Sequence, residues 1–428
     1  MALTVGARLL MAANSVVAGV LVARLLGAES LGTYLVLSVA VQVLIQISGF
    51  ALTLANTYFV ARSPEKLIPV AVNAALFGIV SGSICAFIVL VFVRVLLPGV
   101  SNELALVGLV AVPFQLVTTY AMNLFLAQGE VAKFNFVDLA NQSFVLINAI
   151  VVLLIVGGGV QLLVSLNTGA AVLMAIVVAV VLYQSASARF PDVRWRGDAS
   201  LMPPMLRYSL KGFVLWVSTF LVYRLDLMIV NYFRGTAEAG VYAVATQCTL
   251  FLLLIPQAIS HLLQVRVSAT QDEGGDFSCR VARNTSALLF AACLLSVPGA
   301  FLISAVYGPA FSDLPVQLWI LLPGVYLLGV QLVLSQYFIG TGMPMFLPLT
   351  WLATLVLNIA LNLVVVPVYG ARGAAFVSTI CYAGISVVVL ILFKARTHHS
   401  LGAILVPGIS EIRSIPGLLI RPRLGGRP

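Results

Sequence analysis

The sequence is poor in charge: only 9% of its 428 residues are Asp, Glu, Lys or Arg, against 61% hydrophobic. A water-soluble domain carries about a quarter of its residues as charges, so this deficit excludes a globule in water and makes lipid the solvent. Histidine is nearly absent, and His261, His398 and His399 are too few and too scattered to hold a metal. The five cysteines, Cys85, Cys248, Cys279, Cys293 and Cys381, show neither metal-ligand spacing nor a pairing pattern and read as small residues of the apolar interior. No G-x-x-x-x-G-K-S/T loop is present to bind ATP, and no cofactor is expected. No outer loop exceeds about a dozen residues, too little for an extracellular domain. Whatever the protein does happens within the membrane.

What is present is long apolar sequence. Eight stretches free of charge each reach the length that crosses a bilayer as a helix, and two of them, 139–188 and 314–371, can hold a pair of spans. Those two carry turn signals near their middles, Gly157-Gly158-Gly159 and Thr341-Gly342-Met343-Pro344. Residues 3–23 and 212–233 are also apolar, though interrupted by Arg8 in the first and by Arg224 and Asp226 in the second. Counting them predicts twelve spans. Membrane barrel strands would alternate over about ten residues, so solid runs predict an all-α polytopic fold. The first span also fits a cleaved signal sequence, but no small-x-small site precedes Gly27 and the repeat described below needs this helix.

A net charge of +9 raises nucleic acid as a partner. The basic residues are instead sorted by side: with the amino terminus in the cytoplasm, eighteen fall on inner segments and four, Arg24, Arg94, Arg234 and Arg372, on outer ones. That bias predicts both termini in the cytoplasm and no nucleic-acid partner.

The chain is internally repeated. Gly27, Gly32 and Tyr34 recur as Gly235, Gly240 and Tyr242, displaced by 208 positions, and Phe125, Gly129 and Gly157 recur as Phe338, Gly342 and Gly370, displaced by 213. Six spans separate equivalent points, an even number, so the halves share one orientation and relate by a pseudo-two-fold along the membrane normal. The expected organisation is a six-helix lobe at 1–190, a linker at 191–211 rich in proline and basic residues, a second six-helix lobe at 212–393, and a basic cytoplasmic tail at 394–428. Two such lobes facing a polar chamber suit alternating access.

The run Arg24-Leu25-Leu26-Gly27-Ala28-Glu29-Ser30-Leu31-Gly32-Thr33-Tyr34 resembles the R-x-L-G-x-x-x-x-G-x-Y signature of polysaccharide transporters. Tyr223-Arg224-Leu225-Asp226, continuing through Gly235, Glu238, Gly240, Val241, Tyr242 and Ala245, resembles the same family's pattern around spans seven and eight. Together they resemble the oligosaccharide flippases (Wzx-like) of the multidrug, oligosaccharidyl-lipid and polysaccharide exporter superfamily. The resemblance implies a flippase that moves undecaprenyl-diphosphate-linked repeat units to the outer leaflet of the bacterial inner membrane for surface polysaccharide synthesis, driven by an ion gradient. Its implied partners are the polyprenyl-diphosphate-linked glycan, membrane lipid, and a glycan polymerase or other assembly proteins.

Arg224 and Asp226 are the costliest residues, since a charge at a helix centre is unfavourable by about 2.5 to 3.5 kcal/mol. Two positions apart on a helix they point in different directions, so each needs its own partner or a wet cavity. Arg224 suits the substrate diphosphate or a bridge to another helix; Asp226 suits ion coupling or a packing counter-charge. Arg8 and Arg24 are further substrate-binding candidates, against a topogenic role for Arg8 and a helix-end cation for Arg24. Asp138 is a second ion-coupling candidate, against simple pairing with Lys133. Gln42 and Gln46, like Asn358 and Asn362, share a helix face and suit a sugar-binding wall, against ordinary bonds between helices. Tyr34, Tyr242 and Tyr369 read as interface anchors.

Three other functions fit parts of the sequence. A drug or cation exporter of the same superfamily shares the duplicated plan but favours a cavity dominated by carboxylates. A peptidoglycan-precursor flippase usually carries two more helices. A membrane glycan polymerase or ligase needs a large outer loop, so a non-enzyme is expected.

Overall fold

In lipid every backbone donor and acceptor needs a partner within its own segment, and long apolar runs meet that demand as helices. The computed structural model describes residues 2–191, 193–257, 259–260, 263, 275–340, 344–397 and 402, and among them no β-strand occurs. His261, His398, His399, Thr341-Gly342-Met343 and almost all of the predicted tail lie outside those residues.

The principal helices are α1 (Ala2–Ser48), α2 (Leu52–Arg62), α3 (Leu67–Val91), α4 (Val93–Leu96), α5 (Asn102–Ala127), α6 (Val131–Ile150), α7 (Val160–Arg189), α8 (Met202–Arg234), α9 (Thr236–Leu252), α10 (Asp276–Tyr307), α11 (Leu314–Gly340) and α12 (Phe346–Thr397). Ten of the described helices are long and apolar enough to cross a membrane. Two of these contain a break, α1 at Gly27 and α12 at Gly370, which divides them into 2–26 with 28–48 and 346–369 with 371–397. The described chain therefore carries the twelve predicted spans, six in each copy of the repeat. Large apolar side chains such as Phe87, Leu295 and Val364 point outward, as lipid allows.

The repeat is written into the backbone. Gly27 adopts φ 83°, ψ 172° and Gly235 adopts φ 84°, ψ 173°. Gly157 and Gly370 both have positive φ, 70° and 60°, but their ψ values, 28° and −145°, differ. Proline inside α5 (Pro113) and α11 (Pro323) marks a further equivalent pair.

Packing separates two compact units, Met1–Ala243 and Val244–Pro428. In the first, α5 packs against α3 and α7, while α8 lies against α1 and α2. In the second, α11 packs against α10 and α12, and Arg372 grips both carboxylate oxygens of Asp313.

The second span continues from residues 28–48 through a break into α2. Phe50 and Ala51 both sit at φ 48°, a left-handed conformation costing roughly 1–2 kcal/mol per non-glycine residue. The break is braced from two sides: the Tyr120 hydroxyl donates to the Gly49 carbonyl at 3.0 Å, and the Phe50 ring stacks on Phe213 of α8 at 4.4 Å.

Of the linker expected at 191–211, residues 202–211 form the start of α8 and 193–201 are held against the helix ends. Trp195 donates its indole N–H to Ser187 and packs on Tyr183, and Asn73 donates to the Asp198 carbonyl. Pro203 and Pro204 stand in the first turn of α8, where a missing N–H costs no helical bond.

Candidate functional site: the paired repeat turns

The two copies of the duplicated turn meet within the first unit. At Gly27 and Gly235 the chain takes a positive-φ, extended-ψ conformation that is essentially restricted to glycine, and so reverses sharply into the next helix. One turn beyond each reversal, Gly32 and Gly240 face one another. A Cβ on Gly32 would lie 1.8 Å from the Thr236 carbonyl oxygen, and one on Gly240 would lie 2.7 Å from the Ala28 carbonyl oxygen and 3.0 Å from the Gly32 Cα. The contact is backbone against backbone, which is why both positions are glycine. The loop before α5 closes over it: Asn231 Nδ2 donates to the Pro98 carbonyl at 2.9 Å, and a Cβ on Gly99 would meet Thr236 Cγ2 at 2.9 Å.

Asp226 of α8 lies in this region, 1% exposed, and its Oδ2 accepts from the Tyr242 hydroxyl at 2.5 Å. A buried carboxylate demands such partners, because an unpaired charge in a low dielectric costs several kcal/mol. Tyr242 was expected to anchor at the interface; it is instead completely buried, because it serves Asp226. Tyr34, its counterpart, is half-buried and accepts from Asn167 Nδ2 at 3.2 Å, while Asn167 accepts from Asn148 at 2.9 Å. Tyr369 is 68% exposed.

The remaining candidates are spread along neighbouring helices. Arg24 is exposed, one turn before Gly27, and Arg224 is half-exposed in α8, two positions before the buried Asp226 and on a different side of the helix. Arg8 lies in the first turns of α1 with its side chain outside the described part. Gln42 is exposed and Gln46 half-exposed on the second span. Asp138 is half-exposed in α6, and Lys133 lies 3.0 Å from Glu130. Asn358 and Asn362 are fully enclosed in the second unit: Asn362 Nδ2 donates to the carbonyl of Asn358 at 2.9 Å and to its side-chain oxygen at 3.1 Å. Two of their polar atoms, Asn358 Nδ2 and Asn362 Oδ1, have no hydrogen-bond partner among the described residues. No cluster of three metal-ligating side chains occurs among the described residues.

Pro98, Gly99, Asn231 and Thr236 carry no local sequence signal for this contact, which Asn231 makes with Pro98 across 133 positions. The equal spacing of the two G-x-Y turns was the one signal pointing here.

No protein-family model matches the chain, and no curated protein matches it. Among solved structures, an inward-facing multidrug resistance MATE family transporter of the MOP superfamily superposes with a TM-score of 0.75 at 15% identity, covering 91% of this chain and 94% of that one. The lipid II flippase MurJ in an inward closed conformation superposes equally, TM-score 0.75 at 14% identity, over 98% of this chain and 91% of its own. A MOP superfamily transporter from Pyrococcus furiosus, described as having a binding pocket of reversed polarity, gives 0.60 at 14% identity over 92% and 93%. The chain has the fold of the MOP superfamily transporters.

Proposed function

We propose that the protein is an alternating-access flippase that moves undecaprenyl-diphosphate-linked oligosaccharide repeat units from the inner to the outer leaflet of the bacterial cytoplasmic membrane. The observation that carries this reading is the meeting of the two repeat turns: Gly32 and Gly240 approach so closely that their contact holds nothing larger than hydrogen. A seal made of equivalent pieces from both halves of a repeat is one that relative movement of the halves can open and remake. The fold shared with MurJ, a lipid II flippase, supports a lipid-linked substrate.

In this reading both termini are cytoplasmic, the sealed face is the outer one, and the moving bodies follow the sequence repeat, 1–190 and 212–393. Arg224, Arg24 and Arg8 receive the diphosphate, Gln42, Gln46, Asn358 and Asn362 serve the glycan, and Asp226 and Asp138 couple transport to an ion gradient. Deletion of the gene is expected to leave lipid-linked repeat units stranded on the cytoplasmic leaflet. Normal surface glycan in the deletion strain defeats the proposal.

A second reading, an ion-coupled exporter of organic cations, is favoured by the buried Asp226 carboxylate and by the fold shared with a MATE transporter. Proteoliposomes that expel a cationic dye under a proton or sodium gradient, in a strain whose surface glycan is unaffected by the deletion, would establish it.

A further inference from the structure

At the end of α8 remote from Gly235, aromatic and cationic groups gather on α2 and the first turns of α8. The rings of Tyr58 and Tyr208 are stacked, centroids 4.3 Å apart and 23° from parallel, and Phe59 meets both edge-on at 5.5 and 6.4 Å. Arg62 places its guanidinium carbon 4.9 Å from the Tyr58 centroid and donates from Nη1 to the Tyr58 hydroxyl. Tyr208 remains 44% exposed, and Arg62 and Arg207 are exposed beside it.

Ordinary interfacial tyrosines turn singly toward the lipid headgroups. Here one ring fixes another across two helices, and a hydroxyl fixes the cation. Arg62 has five N–H donors and uses one on Tyr58, leaving a planar fork with the geometry that phosphate oxygens accept. The open part of the Tyr208 ring presents a negative π-face, which attracts the polarised C–H groups of a sugar.

We propose that Tyr58, Tyr208 and Arg62 form a binding site for a glycosyl diphosphate headgroup, with the sugar against Tyr208 and the diphosphate on Arg62. This rests on the flippase reading and makes the site its point of substrate entry. Placement on α2 matters, because α2 follows the strained break at Phe50 and Ala51. A headgroup bound there sits on the limb of the second span beyond that break.

The test uses the full-length protein in phosphatidylcholine nanodiscs and three probes: citronellyl-diphospho-N-acetylglucosamine, citronellyl diphosphate, and phosphatidylglycerol as competitor. The wild type is expected to bind the glycosylated probe more tightly than the bare diphosphate. Tyr208→Ala should abolish that difference and leave diphosphate binding unchanged, whereas Tyr208→Phe should preserve it. Arg62→Gln should weaken both probes about ten-fold, the loss expected when a charge-assisted contact to phosphate is removed, and Arg62→Lys should recover part of the loss. Variants that elute and melt like the wild type but bind both probes equally well overturn the site while leaving the flippase reading intact. Displacement of the glycosylated probe by phosphatidylglycerol also overturns it, since the platform would then be a lipid anchor. Failure of the wild type to bind any citronellyl probe overturns the site, whereas normal surface glycan in the deletion strain is what overturns the flippase reading.

Discussion

The two copies of the repeat turn share a backbone and differ in their wiring. Gly27 and Gly235 agree within a degree in φ and ψ, yet Tyr34 ends a chain of neutral amides while Tyr242 holds a buried carboxylate. Conformation is kept where the chain must reverse and approach its twin, and chemistry diverges one helical turn further on. Duplication supplied the frame, and the second copy set a buried carboxyl group against its tyrosine.

The largest effect is expected where the copies touch. Gly32→Val or Gly240→Val forces side-chain atoms into backbone, with an overpacking cost of about 1–3 kcal/mol or more. Transport should fall roughly ten- to hundred-fold, since 1.4 kcal/mol is about a factor of ten. Gly299→Val is the control, because a Cβ there meets nothing within 4 Å. Equal transport rates in all three variants, measured in proteoliposomes, would break the claim that the turns form a seal.

A smaller asymmetry is expected at the tyrosines. Tyr242→Phe removes a hydrogen bond to a charged group, worth about 1.5–3 kcal/mol, whereas Tyr34→Phe removes a neutral one, worth about 0.5–1.5 kcal/mol. Thermal unfolding in detergent should rank Tyr242→Phe as the more destabilised protein, and the reverse order would erase the distinction between the copies. At Gly27 and Gly235 the copies should instead behave alike. Alanine there meets no neighbour but is forced into a strained conformation, a cost of about 1–3 kcal/mol at each position. Clearly unequal melting of the two alanine variants would show that the matching dihedral angles conceal different loads.

The smallest effect lies outside both copies. The Ser200 hydroxyl and N–H bonded to Asp198 hold its carboxyl below the ordinary range. A depressed pKa gives stability present above the unfolded value and lost as pH falls through the folded one. Asp198→Asn should therefore lower the melting temperature slightly at neutral pH and remove the slight acid-side decline. A large change at neutral pH would mean that the 193–201 segment depends on this charge.

The span count, the all-helical class and the equivalence of Gly27 with Gly235 were legible in the sequence, because apolar length and glycine spacing are local quantities. The break at Phe50 and Ala51 was not, since neither residue favours a left-handed conformation and only Tyr120 and Phe213, distant in sequence, hold it. The costly charge at Asp226 was visible as a residue in need of a partner, but its partner was not. Tyr242 sits sixteen positions away on the next helix and looked like an interfacial anchor until the turn at Gly235 folded it back. Arg62, Tyr58 and Tyr208 were hidden for the same reason: as single residues near helix ends they resemble any membrane boundary.

Reversible separation of the two halves at the paired turns is tested most directly by a disulfide across them. With Cys85, Cys248, Cys279, Cys293 and Cys381 replaced, Gly99→Cys and Thr236→Cys place two thiols where a Cβ on residue 99 lies 2.9 Å from Thr236 Cγ2, within reach of a bond. Oxidation should arrest flipping in proteoliposomes and a reductant should restore it. Undiminished flipping by fully cross-linked protein would contradict the claim that this face opens during transport.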